Sequence, residues 1–336
     1  MSKELNQPLA SLSLDLDNKW AYLRSAGHDD WQQADSYLHL AIGRIVEVLG
    51  DLDLPLTVFL VGRDLEDAEN VRAIQQFDEI PWEAANHSLN HQPWMHTLSD
   101  DEIERELSVT HERIVQHTSQ SPVGFRGPGF SCPPTVLRLL NRMGYRYDAS
   151  IFPTSLAPVA RAYFLMTSQL KDEARKRASQ MYGGFQSALQ PNRPFMRSIP
   201  AVEPSSDDQD PASEQDRGDA GSLCEIPVSV MPITRTPIHF SYFLFLASFS
   251  KLAAKAYFRK AMMLFRMTGG PPSLLLHPPD FLGVEDDSDM AFFPGMKMPR
   301  DAKLDLMRWA LGHLARQFHV VRMRQQTEQF YQQHAG

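Results

Sequence analysis

Ile80-Pro81-Trp82-Glu83-Ala84-Ala85-Asn86-His87-Ser88-Leu89-Asn90-His91 is a short apolar run that turns polar at its end. A run of this length ending in polar residues predicts a strand over Ile80 to Ala85. His87 and His91 then stand just beyond the strand's C-terminal end. A His-x-x-x-His pair can hold one metal ion from a single turn of backbone. The pair alone also suits two ordinary histidines. It acquires meaning only if other strands end on a carboxylate, an acid and a base.

The residues before it repeat the same arrangement. Leu9 to Asp17 alternates leucine with small or polar residues from Ser11 onward and ends on Asp15 and Asp17. Two residues apart on a strand, both carboxylates would point to one side. The aromatic loop around Trp20 and Trp31 could line a pocket. A buried helix is expected from Ser36 to Gly50, a buried strand over Pro55 to Gly62, and a modest helix from Leu65 to Phe77. After the histidines, Ser99 with Glu102 forms a capping box for a helix carrying Ile103, Leu107 and Ile114 at helical spacing. Pro122 to Arg126 reads as a strand ending in the turn Arg126-Gly127-Pro128-Gly129-Phe130. Pro133-Pro134 starts a helix that stops at Gly144, and Tyr145 to Asp148 is a strand end again. Strand, helix, strand, helix, with polar residues after each strand, is the pattern of a parallel α/β sheet or barrel.

From Ile151 that rhythm breaks, and we expect an insertion over 151–224 within a single domain spanning 1–336. Ala160 to Met181 reads as helical. The acidic, Pro/Ser-rich stretch 203–219 has almost nothing apolar to bury and is expected to be a flexible loop. Regular structure resumes with a strand at Glu225 to Val230. Ile238 to Met267 follows, apolar at first and then flecked with Lys251, Lys255, Arg259, Lys260 and Arg266. Ser273 to Leu276 is a buried strand that ends on His277. An amphipathic helix over Asp301 to Phe318 and a closing strand over His319 to Met323 complete the chain.

Composition bounds the function. The 336 residues are 43% hydrophobic and 22% charged, the balance of a soluble protein with a sizeable core. The net charge of -8, with no Lys/Arg run interleaved with aromatics, argues against a nucleic-acid partner. Cys132 and Cys224 are the only cysteines and lack Cys-x-x-Cys spacing, so neither a disulfide framework nor a thiolate zinc site is expected. The N-terminus does not read as a signal peptide, and no run reaches the ~18 apolar residues of a spanning helix. The expected location is the cytoplasm, with peripheral contact at the inner membrane face as an option.

Collected in order, the strand-end residues are Asp15 and Asp17, His87 and His91, Arg126, Asp148 and His277. This set resembles the five motifs of the polysaccharide deacetylase (NodB-homology) family, carbohydrate esterase family 4. Ser13-Leu14-Asp15-Leu16-Asp17 is similar to its first motif in an Asp-x-Asp form. His87-Ser88-Leu89-Asn90-His91 fits the His-Ser/Thr-x-x-His motif, Arg126-Gly127-Pro128 the Arg-x-Pro motif, Asp148-Ala149-Ser150 the fourth, and Leu275-Leu276-His277 the Leu-x-His fifth. The resemblance implies a distorted, incomplete (β/α) barrel with its site at the C-terminal rim of the strands. Taken singly, Asp15 and Asp17 suit a solvated turn, Arg126 and Asp148 a salt bridge, and His277 a core histidine. Five matches in family order carry the functional reading.

Two imidazoles and the Asp17 carboxylate make an N₂O set suited to Zn²⁺, with Co²⁺, Ni²⁺ or Fe²⁺ as alternatives. Such a metal lowers the pKa of water toward ~7. Asp15 would then serve as general base and His277 as general acid. The resemblance adds Arg126 as partner of Asp15, Asp148 as the residue orienting His277, and the Gly129 N–H as an oxyanion donor. Trp20 and Phe130 are expected to line the substrate pocket. Gly129-Phe130 and Ala149 depart from the residues usual in the third and fourth motifs, which bears on the substrate more than on the chemistry. The expected reaction is removal of N-acetyl groups from an amino-sugar glycan or its precursor. The alternatives are hydrolysis of another C–N bond, as in a cyclic ureide, and non-catalytic glycan binding. For Ile238 to Met267 the alternatives are core, homo-oligomer interface and membrane surface.

Overall fold

The computed structural model describes residues 7–156, 187–200 and 221–334. The expected helical segment 160–181 and the acidic loop 203–219 lie outside the described residues. The sheet is built on β1 (Leu9–Asp15), β2 (Leu56–Leu60), β3 (Trp82–Asn86), β4 (Gly124–Phe125) and β5 (Tyr147–Asp148). It continues through β6 (Phe195–Ser198), β7 (Ser222–Glu225), β8 (Ser273–Leu276) and β9 (His319–Val321). The order is β6-β7-β5-β4-β3-β2-β1-β8, with β9 paired to the first half of β1. Every pairing is parallel except β6 with β7. Among the described residues no ladder joins β6 to β8. The gap is crossed instead by two hydrogen bonds, Ser229 N–H to the Ser273 carbonyl at 2.9 Å and Ser273 N–H to Ser229 Oγ at 2.8 Å. The expected incomplete barrel is therefore borne out.

Helices α1 (Lys19–Ala26), α2 (Leu38–Gly50), α3 (Ala68–Ile74), α4 (Asp100–Thr118) and α5 (Pro134–Arg142) alternate with the first five strands. After β7 come α6 (Phe240–Phe249) and α7 (Lys251–Thr268), and after β8 come α8 (Arg300–Ala315) and α9 (Met323–His334). The capping box opens α4 as expected, with Ser99 Oγ accepting from Glu102 N–H and the Glu102 carboxylate accepting from Ser99 N–H.

β1 shows how sequence becomes site. Leu12, Leu14 and Leu16 point into the main core with α2, α6 and α8. Ser11 and Ser13 on the other face are equally buried, so the alternation does not mark a solvated face. They are small because that face fills the barrel interior, where the fully buried Arg126 side chain crosses to donate to Ser13 Oγ at 3.0 Å. Period two then carries the same face on to Asp15 and Asp17.

Three expectations change. The strand expected at Glu225 to Val230 lies earlier, at Ser222–Glu225, because Ile226 N–H to the Asp148 carbonyl is the last bond to β5 and the chain then crosses toward β8. The described ends of the stretch 151–224 are integral to the sheet as β6 and β7, which the sequence had not suggested. α9 was also unforeseen. It follows β9 and anchors on β2 and β3 through Met323 N–H to Thr57 Oγ1 and Arg324 N–H to Glu83 Oε2, both 2.9 Å. Cys132 and Cys224 are free thiols, as expected.

Candidate metal centre and hydrolytic site

Register brings the strand ends to one level. Leu14 pairs with Leu276, so Asp15 and His277 are adjacent on neighbouring strands. Asn86 pairs with Phe125 and Phe125 with Asp148, so His87, Arg126 and Asp148 emerge at the same rim. Asp17, His87 and His91 offer ligand atoms that all lie within 4.8 Å of one another. Asp17 Oδ1 is 3.0 Å from His91 Nε2 and 3.3 Å from His87 Nε2. Asp15 Oδ2 lies 4.0 Å from His87 Nε2, while its Oδ1 accepts from Arg126 Nη1 at 2.6 Å.

The histidine loop is held from several sides. Ser88 and His91 both have positive φ, 64° and 49°, a strained backbone that surrounding contacts must enforce. The Glu106 carboxylate on α4 accepts from Leu89 N–H, Asn90 N–H and Asn90 Nδ2 at 2.6 to 2.9 Å. Arg24 on α1 donates to the Asn90 and His91 carbonyls. Asn86 Oδ1 accepts from Ser88 N–H at 2.9 Å. Glu106 and Arg24 belong to no motif, and only the fold brings them to the loop.

The chemistry of this set fits a cation. His87 Nδ1 is 2.6 Å from the Arg126 carbonyl, which can only accept, so Nδ1 carries the proton. In the neutral ring Nε2 then presents a lone pair to Asp17 Oδ1, an atom that is itself buried and without a hydrogen-bond donor. Two facing lone pairs repel unless a positive charge sits between them. Burial opposes the charge on Asp17, but the two adjacent imidazoles, His91 foremost, outweigh it and hold the carboxyl well below its usual range. Burial pulls His91 down, toward the neutral form that a metal needs, and also opposes the charge on His87, where the Asp15 carboxylate and Asp17 prevail and raise it. Protons and metal therefore compete for one pocket.

Arg126 is tied by Nε to the Ala149 carbonyl at 2.9 Å and lies over the Phe59 ring at 4.2 Å. After it the chain must turn tightly. A Cβ on Gly127 would stand 1.8 Å from the Ser131 carbonyl oxygen, and Gly129 has φ 57°, so both positions call for glycine. Gly127 N–H donates to Ser150 Oγ, which donates to Asp148 Oδ1. Asp148 Oδ2 accepts from Arg197 Nη1 at 2.7 Å, and the same nitrogen reaches Glu225 at 3.2 Å. Burial, with the Asp148 charge beside it, pushes Glu225 well above the usual carboxylate range.

This corrects the expected role of Asp148. Its partners are Ser150 and Arg197, and it secures the Arg126–Gly129 turn. His277 is placed by other residues: its Nδ1 is 3.1 Å from Ser241 Oγ and 4.0 Å from Asp280 Oδ2. Asp280 also accepts from the His277 N–H at 2.8 Å and is raised by its burial. Ser241 enters from α6, far away in sequence. Asp280 follows His277 by three residues, so the sequence did hold that signal. Asp280→Asn is expected to reduce turnover in steady-state kinetics, because it replaces the buried carboxylate beside the His277 ring with a neutral amide. Ser241→Ala, which removes a neutral partner 3.1 Å from Nδ1, should reduce it less.

Trp20 is not an open pocket wall. It is 6% exposed, with Nε1 donating to Asp64 Oδ1 at 2.8 Å and its ring edge-on to His91 at 6.5 Å. Burial raises Asp64 to about 6. The folded state then binds this proton more tightly than the unfolded state, so stability should fall as pH rises from about 4 through 6. Asp64→Asn is expected to flatten that segment of the melting-temperature profile; an unchanged slope rejects the assignment. Phe130 packs tilted against Phe152, ring centroids 5.2 Å apart, with Phe152 reaching His239 and His239 reaching His277. Tyr22, which no motif marks, sits between the clusters. Its ring meets Phe293, Phe293 meets His277, and burial with the charges of Asp17, Asp280 and Asp15 raises its hydroxyl well above normal.

Comparison with known proteins bears on the family and the fold. Residues 35–147 match the family model described as polysaccharide deacetylase. That span holds His87, His91 and Arg126 but not Asp15, Asp17 or His277. A comparison with curated proteins gave no match. A structure from Mycobacterium smegmatis, described as a candidate polysaccharide deacetylase, is 17% identical with a TM-score of 0.60 over 97% of this chain and 91% of that one. A family 4 carbohydrate esterase from Streptomyces lividans in complex with acetate is 19% identical over 52% of this chain and 86% of that one, TM-score 0.33. A family 4 pseudoenzyme from Bacillus anthracis is 22% identical over 48% of this chain and 50% of that one, TM-score 0.35. At those scores the last two carry no weight here. The expected family is borne out: residues 35–147 carry the polysaccharide deacetylase sequence pattern, and the chain shares the fold of the Mycobacterium smegmatis structure over 97% of its length.

Proposed function

We propose that this chain is a metal-dependent hydrolase that removes N-acetyl groups from an amino-sugar glycan or glycan precursor. The observation that supports this most strongly is the unpartnered Asp17 Oδ1 facing two imidazole nitrogens, beside an Asp15 already engaged by Arg126. Asp17, His87 and His91 would hold Zn²⁺, or Co²⁺, Ni²⁺ or Fe²⁺. Such an ion supplies the Lewis acidity that makes water nucleophilic near neutral pH. Asp15 accepts the proton from the attacking water, and Arg126 fixes Oδ1 so that Oδ2 faces the cluster. The Gly129 N–H stabilises the developing oxyanion. His277, oriented by Ser241 and Asp280, gives a proton to the departing nitrogen as the C–N bond breaks. Acetate and a free amine result. The Phe130–Phe152–His239 wall suits the apolar face of a sugar ring. On this reading the chain acts in the cytoplasm on a nucleotide-linked or lipid-linked sugar.

The test is acetate release from N-acetylated nucleotide sugars, lipid-linked sugars and oligosaccharides, with Asp15→Asn as the blank. Release from at least one class, absent in the blank, is the expected result. Turnover of cyclic ureides alone would transfer the assignment to another C–N bond. Tight glycan binding without release from any class would make the protein a binder.

A further inference from the structure

The stretch 238–267 divides into parts with different surroundings. α6 is core: Phe240, Phe243, Leu244 and Ala247 are buried. α7 has one apolar stripe, Ala254, Phe258, Ala261, Met262 and Phe265, packed in the same way. It also has a second apolar stripe on its opposite side. Leu252, Met263 and Met267 are 77%, 51% and 73% exposed, and Ala256 lies exposed on the same line. The spacing 252, 256, 263, 267 keeps one helix face. Phe249, 77% exposed at the turn before α7, extends it.

The flanks of this stripe are uniformly cationic. Lys255, Arg259 and Arg266 border it on one side and Lys260 on the other, with Lys251 at the tip. α7 carries no Asp or Glu, in a chain whose net charge is -8. Lys255 and Arg259 lie over the Trp309 ring at 4.9 and 5.2 Å, which fixes that border against α8. An apolar line rimmed by cations on a folded helix matches an anionic bilayer surface, with apolar residues at the acyl boundary and lysines and arginines at the phosphates. No helix among the described residues is long and apolar enough to cross a membrane. We propose that the outer face of α7, with Phe249, docks this protein on an anionic lipid surface. α6 runs from Ser241, the partner of His277, to that tip, about 12 Å at the helical rise per residue. Docking would therefore hold the hydrolytic site close to the headgroups. The inference is independent of the reaction catalysed.

Co-sedimentation of the full chain with large vesicles tests it. Expected is pelleting with phosphatidylcholine–phosphatidylglycerol vesicles, weakened by added salt, and little with phosphatidylcholine alone. Lys260→Glu with Arg266→Glu should lower partitioning at least about 25-fold, at about five-fold for each lost cation. Leu252→Gln with Met267→Gln should lower it as well. All four side chains are exposed, so the melting temperature should hold. Binding to neither vesicle, or binding that all four substitutions leave unchanged, overturns the proposal. A dimer that Leu252→Gln with Met267→Gln converts to monomer, without vesicle binding, assigns the face to a second copy and also overturns it.

Discussion

His87→Ala is expected to lose the bound divalent ion and, with it, hydrolysis. On the proposed function His87 would supply one of three ligand atoms, and its Nδ1–H bond to the Arg126 carbonyl sets the direction of its lone pair. Removing a mere outer partner of a ligand already costs about 10–100-fold in metal affinity. Loss of the ligand itself should exceed that. His91→Ala, at a less enclosed position, should behave alike and guards against a folding defect at His87. Metal content by mass spectrometry after dialysis against chelator and reloading is the measurement, with circular dichroism to confirm the fold. Affinity should also fall with pH, since the imidazoles must be neutral to bind. Full metal content in both variants would remove the basis of the proposed function.

The second large effect is at Asp15. Asp15→Asn keeps the shape but cannot take a proton, so the rate should drop about 10²–10⁴-fold with metal content unchanged. That split between metal and rate separates a base from a ligand. Arg126 tests the same pair through stability. Arg126→Met strands a buried carboxylate and should cost about 3–5 kcal/mol. Arg126→Lys should not rescue it, because one ammonium cannot reach Ala149, Ser13 and Asp15 together. In the double variant Asp15→Asn/Arg126→Met the two losses should be less than additive, since the charge left behind is gone. Additive losses in denaturant melts would mean the two side chains do not depend on each other.

The strand ends were legible because each ends in a residue whose chemistry is unusual there. Asp17, His87 and His91 stand in two short motifs, and their position at strand ends already puts both motifs on one rim. What surrounds His277 was not legible. Ser241 reaches it from a helix 36 residues earlier, and the sequence offers no periodicity that links the two. Asp148 was given the wrong neighbour because Arg197, on a strand the sequence reading took for an insertion, engages its free oxygen. Trp20 was read as a pocket wall since aromatic loops often are one. Asp64, from the chain after β2, instead holds it behind His91. The surroundings of Ser11 and Ser13 on β1 were not legible either, because alternation alone cannot distinguish water from a barrel interior that houses an arginine.

By itself the sequence determined the alternation of strands and helices, the parallel sheet that alternation requires, and which side chains end up on its C-terminal rim. These follow from local rules: period, capping and turn residues act within a few positions. Only the tertiary structure decided which rim residues touch. Register between strands, the crossing of Arg126 through the interior, and the convergence of Glu106, Arg24 and Ser241 depend on packing between segments far apart in the chain. The same holds for α7. Its two apolar stripes read alike in sequence, and only the fold buried one and left the other facing outward.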